Sequence, residues 1–369
     1  MVVDFTNNAS ALAARYRDFS WWEARGRCAA HEELTARIGQ DPELCELLAA
    51  SLPMGNKQQP NLLLAAVRHL DGPHAEQGPR GELAYGRWRE WTIRHWAEVR
   101  AVVMSRSTQT NEPGRCATLL PLLARLRGPL ALLEVGASAG LCLHPDRYRY
   151  AYEPDTAAPG TPAPAAPPQA YTLGAPDSPV TLRCRVGREE GVAAADAAAP
   201  AGLPEIVWRG GIDLAPLDPV DDPEALRWLR SLVWPGTPER AQRLTAAVDA
   251  VRAAPRPEIV RGDLVEELPA LAARVPEHAT LVVFHTSVLS YLPLAHRERF
   301  ADLVRALLAG RPGGGHWISQ EHHSVTPWRP APAAGRLTPD HRERLLTLAL
   351  DDRPVALTGA HGQSLHWVA

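Results

Sequence analysis

Lysine is almost missing from this chain: Lys57 is the only one, and arginine supplies the rest of the 39 basic residues. They are outnumbered by 42 acidic residues, giving a formal net charge of −3. With no basic excess or stripe, a nucleic-acid partner is not expected. Also absent is any run of about 18 uncharged apolar residues, so no membrane span is expected. Residues 1–17 carry Asp4 early and lack an apolar core segment, which does not read as a secretory signal. Cysteine is sparse. Cys28, Cys45, Cys116, Cys142 and Cys184 are odd in number, scattered, and show no CxxC spacing. That fits reduced thiols and a cytoplasmic location, and it argues against a disulfide framework or a cysteine zinc site.

Proline is plentiful, at 35 residues, many in Ala/Pro stretches. Together with the preference for arginine, this suits a GC-rich coding genome. At about 150 residues per domain, 369 residues predict two domains, or one large domain with insertions. Hydrophobic residues at 45% and charged residues at 22% are ordinary for a folded enzyme.

Residues 1–115 show helical patterning without strand alternation and predict an N-terminal helical cap domain. Few breakers interrupt residues 9–38. Asp41-Pro42-Glu43 is a helix start, with Asp at the cap and Pro at the first position. A short apolar helix is expected over 61–70. A longer one over 82–106 carries Trp88, Trp91 and Trp96. Aromatics at that spacing read as core rather than ligand cage.

From Cys116 the pattern changes. A helix-like stretch over 117–127 precedes Leu130-Ala131-Leu132-Leu133-Glu134-Val135, a continuous apolar run typical of a buried parallel strand. Further strands are expected at 180–186, 205–211, 258–262, 280–285 and 316–320, the last four separated by helical stretches. Strands alternating with helices imply a mainly parallel α/β sheet. Residues 353–369 predict an antiparallel hairpin at a sheet edge. The second domain is thus a Rossmann-like unit over 116–369. It carries an insertion at about 150–204, whose Ala/Pro-rich part at 155–168 reads as a linker.

The most informative segment is Glu134-Val135-Gly136-Ala137-Ser138-Ala139-Gly140. It follows a buried strand and leads toward a possible helix. Gly136 permits a tight turn, and the small residues through Gly140 let a ligand approach the backbone. A dinucleotide loop would show G-x-G-x-x-G. Here the spacing is G-x-x-x-G, with Glu134 two residues before the first glycine, which suits a cationic or zwitterionic nucleoside better than a pyrophosphate. A packed strand-to-helix turn is the plainer alternative.

This segment resembles motif I of the class I S-adenosylmethionine (SAM)-dependent methyltransferases, with Ser138 in place of the usual middle glycine. The resemblance implies a cofactor pocket around Glu134, Gly136, Ala137, Ser138 and Gly140. It implies an acid for the ribose hydroxyls at the end of the second strand. Asp213 fills that place, at the cost of a long insertion; Glu153 is the rival that needs none. Asp263 and Leu264 would meet the adenine, although Asp263 also reads as a helix N-cap. Arg115 lies in a segment dense in hydrogen-bonding groups, and could pair with the methionine carboxylate. The stretch 282–293 resembles motif IV, where strand ends face the methyl group and the acceptor, and His285, Thr286 and Ser287 fall at that end. His285 or Glu321 would take the acceptor's proton, unless His285 is simply buried. Asn111, Thr286, Tyr291 and His322 would line the acceptor site. His322 and His323 are adjacent, and no third metal ligand is visible, so no metal is expected.

Six stretches carry a similarity that runs nearly end to end: Gln59-Pro60-Asn61-Leu62-Leu63, Gln109-Thr110-Asn111-Glu112, 133–141, Gly211-Ile212-Asp213-Leu214-Ala215-Pro216, Leu232-Val233-Trp234-Pro235 and Phe284-His285-Thr286. They resemble the bacterial domain-of-unknown-function family twenty-three thirty-two. That resemblance implies the methyltransferase-like fold but no particular reaction. The expectation is a SAM-dependent transferase acting on a small polar molecule. Two alternatives stay open: a SAM-using enzyme that moves the aminocarboxypropyl arm, cyclises or eliminates, and a SAM-binding module without chemistry.

Overall fold

The computed structural model describes residues 8–74, 81–155, 170–189, 191–192, 200–332, 334–335 and 337–369. The Ala/Pro-rich residues 156–168 lie outside them. The chain divides into two compact units, Met1–Thr110 with Asp221–Gln242, and Asn111–Val220 with Arg243–Ala369. The segment Asp221–Gln242, which the sequence pattern assigns to the sheet domain, therefore belongs with the helices. Among the described residues no helix is long and apolar enough to cross a membrane.

The first unit contains helices Ala9–Asp18, Ala29–Ile38, Pro42–Ser51, Pro60–His69, Gly81–Arg94, Trp96–Ser105 and Pro223–Leu232. Both long helical stretches expected from the sequence are interrupted. The first breaks at a π-helical turn, Phe19–Ala24, followed by Gly26 at φ +71°. The second breaks at His95, whose Nδ1 lies 2.9 Å from Trp91 O and whose ring stacks on Trp91 at 4.3 Å. A side chain bonded to the preceding turn competes with the helical ladder. The lone lysine plays a structural part. Lys57 Nζ donates to Val103 O and Arg106 O, closing the end of Trp96–Ser105.

Among the described residues the second unit is built on one sheet of eleven strands. Its strands are β1 (Leu130–Val135), β2 (Arg149–Pro154), β3 (Tyr171–Leu173), β4 (Thr181–Arg188), β5 (Ile206–Asp213), β6 (Glu258–Arg261), β7 (Thr280–Thr286), β8 (Gly315–Glu321), β9 (Leu346–Leu350), β10 (Arg353–Thr358) and β11 (Ser364–Trp367). The spatial order is β3-β2-β4-β11-β10-β9-β8-β7-β1-β5-β6. Six of the ten strand pairings are parallel, so the sheet is mostly parallel. The antiparallel hairpin β10–β11 forms as expected, but it is not at an edge. β11 also pairs parallel with β4, so the insertion extends the sheet beyond the hairpin.

All six residues of β1 are buried between parallel β5 and β7. Ala131, Leu133 and Val135 point to one face. There they pack with Leu268 and Leu271 of helix Leu264–Ala272, and with Phe300 and Val304 of helix Leu294–Ala309. Leu132 and Glu134 alternate to the other face. The expected helix after the glycine turn is instead two 3₁₀ turns, Leu141–Leu143 and Pro145–Arg147. Pro145 explains this: it cannot continue a helical ladder, and it pushes His144 out of helical geometry, to φ −118° and ψ 44°.

Asp41 offers a test of the helical unit. Its Oδ1 caps Leu44 N at 3.0 Å, and its Oδ2 accepts from Tyr85 Oη at 2.7 Å and Arg89 Nε at 2.5 Å. Burial opposes ionisation, but the hydrogen bonds from Arg89, Leu44 and Tyr85 and the Arg89 charge outweigh it and hold the carboxyl below its ordinary value. That contribution is present above the ordinary carboxylate pKa and lost as pH falls through the lowered one. Asp41→Ala is expected to cost about 1–2 kcal/mol at neutral pH in urea unfolding, and much less in strong acid. Equal losses at both pH values would remove the charge from this account.

Candidate functional site

The chain runs from β1 out to the far edge of the sheet and returns to β5 on one side of β1. It then passes to β6 beyond β5, and crosses to β7 on the other side. The strand order thus reverses at β1, whose carboxyl end is a topological switch point. Ligands of open α/β sheets bind in the crevice at such points. The turn Gly136–Gly140 stands there.

Three positive φ values shape this turn: Gly136 at +71°, Ser138 at +51° and Gly140 at +68°. Four of its five backbone amides donate to groups within the protein. Gly136 N and Ala137 N donate to Ile212 O at 2.8 and 3.0 Å, and Gly140 N donates to Ala137 O at 2.7 Å. Ser138 N donates to Asp213 Oδ2 at 2.8 Å. Asn111 brackets the turn: its Nδ2 donates to Ala137 O and its Oδ1 accepts from Leu141 N at 2.9 Å. Asn111 is buried, so its position is that of a clamp on the turn rather than an acceptor ligand. A loop whose amides are committed in this way does not cradle a phosphate.

The acids at the rim differ in their surroundings. Asp213 also accepts from Ala215 N at 2.8 Å, so it fastens the glycine turn to the end of β5. Glu134 is 2% exposed, and its Oε2 has no hydrogen-bond partner among the described residues. Burial, and then the neighbouring Cys142, raise its carboxyl well above the usual range, although the Arg115 charge opposes this. Arg115 is itself committed. Its Nη1 donates to Thr286 O and Oγ1 at 2.9 and 3.0 Å, and its Nε donates to Ala360 O.

His285 and Glu321 are brought together, but on the other face of the sheet. His285 alternates with Leu281 and Val283, and Glu321 with Trp317, so both point toward the core that holds Leu133. His285 is 0% exposed; its ring lies 5.6 Å from Phe300 and 5.9 Å from Trp317. Its Nδ1 is 2.8 Å from Glu321 Oε1, which also accepts from Val288 N at 2.8 Å and Leu289 N at 3.1 Å. The expectation of a base facing the cleft is therefore corrected: His285 sits in the core. Glu321 fixes the turn after β7, where Ser287 adopts φ +57°. That turn lays Val288 over Gly136, a contact that no sequence pattern announced.

The other expected residues are dispersed. Asp263 caps helix Leu264–Ala272 through Val265 N at 2.8 Å, and faces His296 Nε2 at 3.1 Å. Leu264 packs into the core, while Tyr291 is half exposed at the end of the β7 turn. His322 follows β8, with its Nδ1 at 2.7 Å from Ser324 Oγ. Glu153 lies on β2, separated from β1 by six intervening strands, and pairs with Arg183. It therefore does not compete with Asp213 for a role at the turn.

The cover over Gly136 is testable. A Cβ there would lie 2.4 Å from Val288 Cγ2, at a φ that L residues rarely adopt. Gly136→Ala is expected to cost about 2–3 kcal/mol in urea unfolding, of which about 1–2 is backbone strain. Val288→Ala in the same molecule should recover part of it. Costs that add to within about 0.5 kcal/mol would show that the two residues do not meet.

Neither the curated proteins nor the solved structures hold a match to this sequence. A family match does exist and spans residues 13–367, nearly the whole chain. The chain accordingly belongs to the family described as "Uncharacterized protein conserved in bacteria (DUF2332)".

Proposed function

We propose that this protein binds S-adenosyl-L-methionine at the carboxyl ends of β1, β5 and β6 and transfers its methyl group to a small polar acceptor. The observation that carries the proposal is Glu134, a buried carboxylate at the switch point whose Oε2 meets no donor among the described residues. A buried charge without a partner is costly, and the group stays protonated unless a cation arrives. The ammonium of a sulfonium amino acid supplies that cation. Supporting it, the parallel half of the sheet runs β6-β5-β1-β7-β8, the 3-2-1-4-5 order of doubly wound nucleotide-binding sheets. Asp213 stands beside the turn, and a carboxylate has about four lone-pair sites, so fastening Ser138 and holding a ribose are compatible roles. Leu214, 70% exposed just after it, offers an apolar surface for a ring.

Transfer from a sulfonium needs alignment more than acid–base help, because the leaving group is already activated. This agrees with His285 lying in the core. The same observation favours a second reading, a SAM-binding module without turnover. Incubating the bound complex with acceptor pools and assaying S-adenosylhomocysteine separates the two.

The direct test is calorimetric titration of the full chain with SAM. One equivalent is expected to bind, with uptake of the ligand's positive charge releasing a proton from Glu134. The binding enthalpy should therefore vary with the buffer's ionisation enthalpy. Glu134→Gln should weaken binding by about 10- to 100-fold, matching roughly 1.5–3 kcal/mol for a hydrogen bond to a charged group. The same substitution should steady the ligand-free protein as pH rises. A carboxyl with a raised folded pKa loses its stability contribution as pH climbs through that value, and an amide does not. Absence of binding heat, or equal affinity in the variant, would refute the proposal.

A further inference from the structure

Two adjacent histidines leave the carboxyl end of β8, and the structure supplies the third group that the sequence did not show. Glu343 lies just beyond the short helix Pro339–Arg342 and just before β9. His322, His323 and Glu343 each offer one ligand atom within 4.8 Å of the others, the one such trio of His, Cys, Asp or Glu among the described residues. The two imidazole rings sit 4.2 Å apart at 42°. His322 Nε2 lies 3.9 Å from the Glu343 carboxylate and 3.2 Å from its carbonyl oxygen.

We infer that His322, His323 and Glu343 form a binding site for a borderline divalent transition-metal ion of the Zn²⁺, Co²⁺ or Ni²⁺ class. Two imidazoles and one carboxylate match such ions, whereas Ca²⁺ and Mg²⁺ prefer sites made of oxygen alone. Ligand atoms bonded at about 2.0–2.1 Å to one tetrahedral zinc stand about 3.3 Å apart. The present spread closes to that by about 1.5 Å of side-chain rotation, and the three groups are half-buried or exposed, so they have room to turn. His322 is already oriented by Ser324 Oγ at Nδ1, the kind of outer partner that metal-bound histidines use. Without metal, Nε2–H can donate to the Glu343 carbonyl; a metal at Nε2 takes the other neutral tautomer, with the ring proton on Nδ1 donating to Ser324 Oγ. Three protein ligands leave a coordination position for water or substrate, the pattern of catalytic rather than structural zinc. Binding would also tie the end of β8 to the start of β9 across residues 324–342. The site stands apart from the SAM reading and does not depend on it.

The test uses the full chain without an affinity tag, stripped by a chelator and titrated with ZnCl₂ and separately with CoCl₂. One saturable equivalent is expected. The Co²⁺ spectrum should show the visible bands of a low-coordinate site without thiolate charge transfer, since all five cysteines are buried. His323→Gln and Glu343→Gln should each weaken Zn²⁺ binding at least tenfold, and Ser324→Ala by about tenfold. Circular dichroism and melting of the metal-free variants should match the parent. The inference is overturned if no saturable binding occurs, if thiolate bands appear, or if the affinity is unchanged in folded His323→Gln and Glu343→Gln proteins.

Discussion

The architecture around the switch point depends on one constraint: the turn after β1 must satisfy its own backbone. Three left-handed residues leave amides and carbonyls that neither a helix nor a strand would pair. Ile212, Asp213 and Asn111 take them up, from the end of β5 and from the segment before helix Cys116–Leu123. Because these partners come from distant parts of the sequence, the turn forms only when β1 and β5 are already side by side. The rim's shape is therefore a product of sheet assembly rather than of the local glycine pattern.

Polar groups on the two faces of the sheet do different work. On the Glu134 face, Arg115 joins Thr286 to the β10–β11 connection through Ala360 O. On the His285 face, Glu321 gathers an imidazole and two amides, and so holds the turn that covers Gly136. A residue's distance along the strand says nothing about which of these groups it joins. Its parity does.

That parity was present in the sequence. Leu281, Val283 and His285 alternate with Val282, Phe284 and Thr286, but each set is two apolar residues and one polar one, all buried, so a strand buried on both faces hides which face is which. The parallel strands were legible for the same reason, as continuous apolar runs bounded by turns. What was not legible needed long-range pairing. β9 is a five-residue run behind a polar stretch. The placing of β11 beside β4 depends on a contact between residues about 180 positions apart. Asn111 and Val288 carry no local signal of their roles, because an amide that clamps a turn and a valine that covers a glycine look like any others. Glu343 entered the site only because the chain returns beside β8.

The division of the chain bears on how the protein is made. The helical unit takes Asp221–Gln242 from beyond the three strands of the insertion and from beyond β5. A ribosome delivers residues in order, so the first 110 residues emerge without their last helix. They wait through more than a hundred others before the missing piece appears. During that interval the surfaces that Trp228 and Leu229 later bury have only water or a chaperone to face. The interleaved chain makes early completion of the first-synthesised part impossible, and it ties the maturation of both halves to a single late stretch of translation.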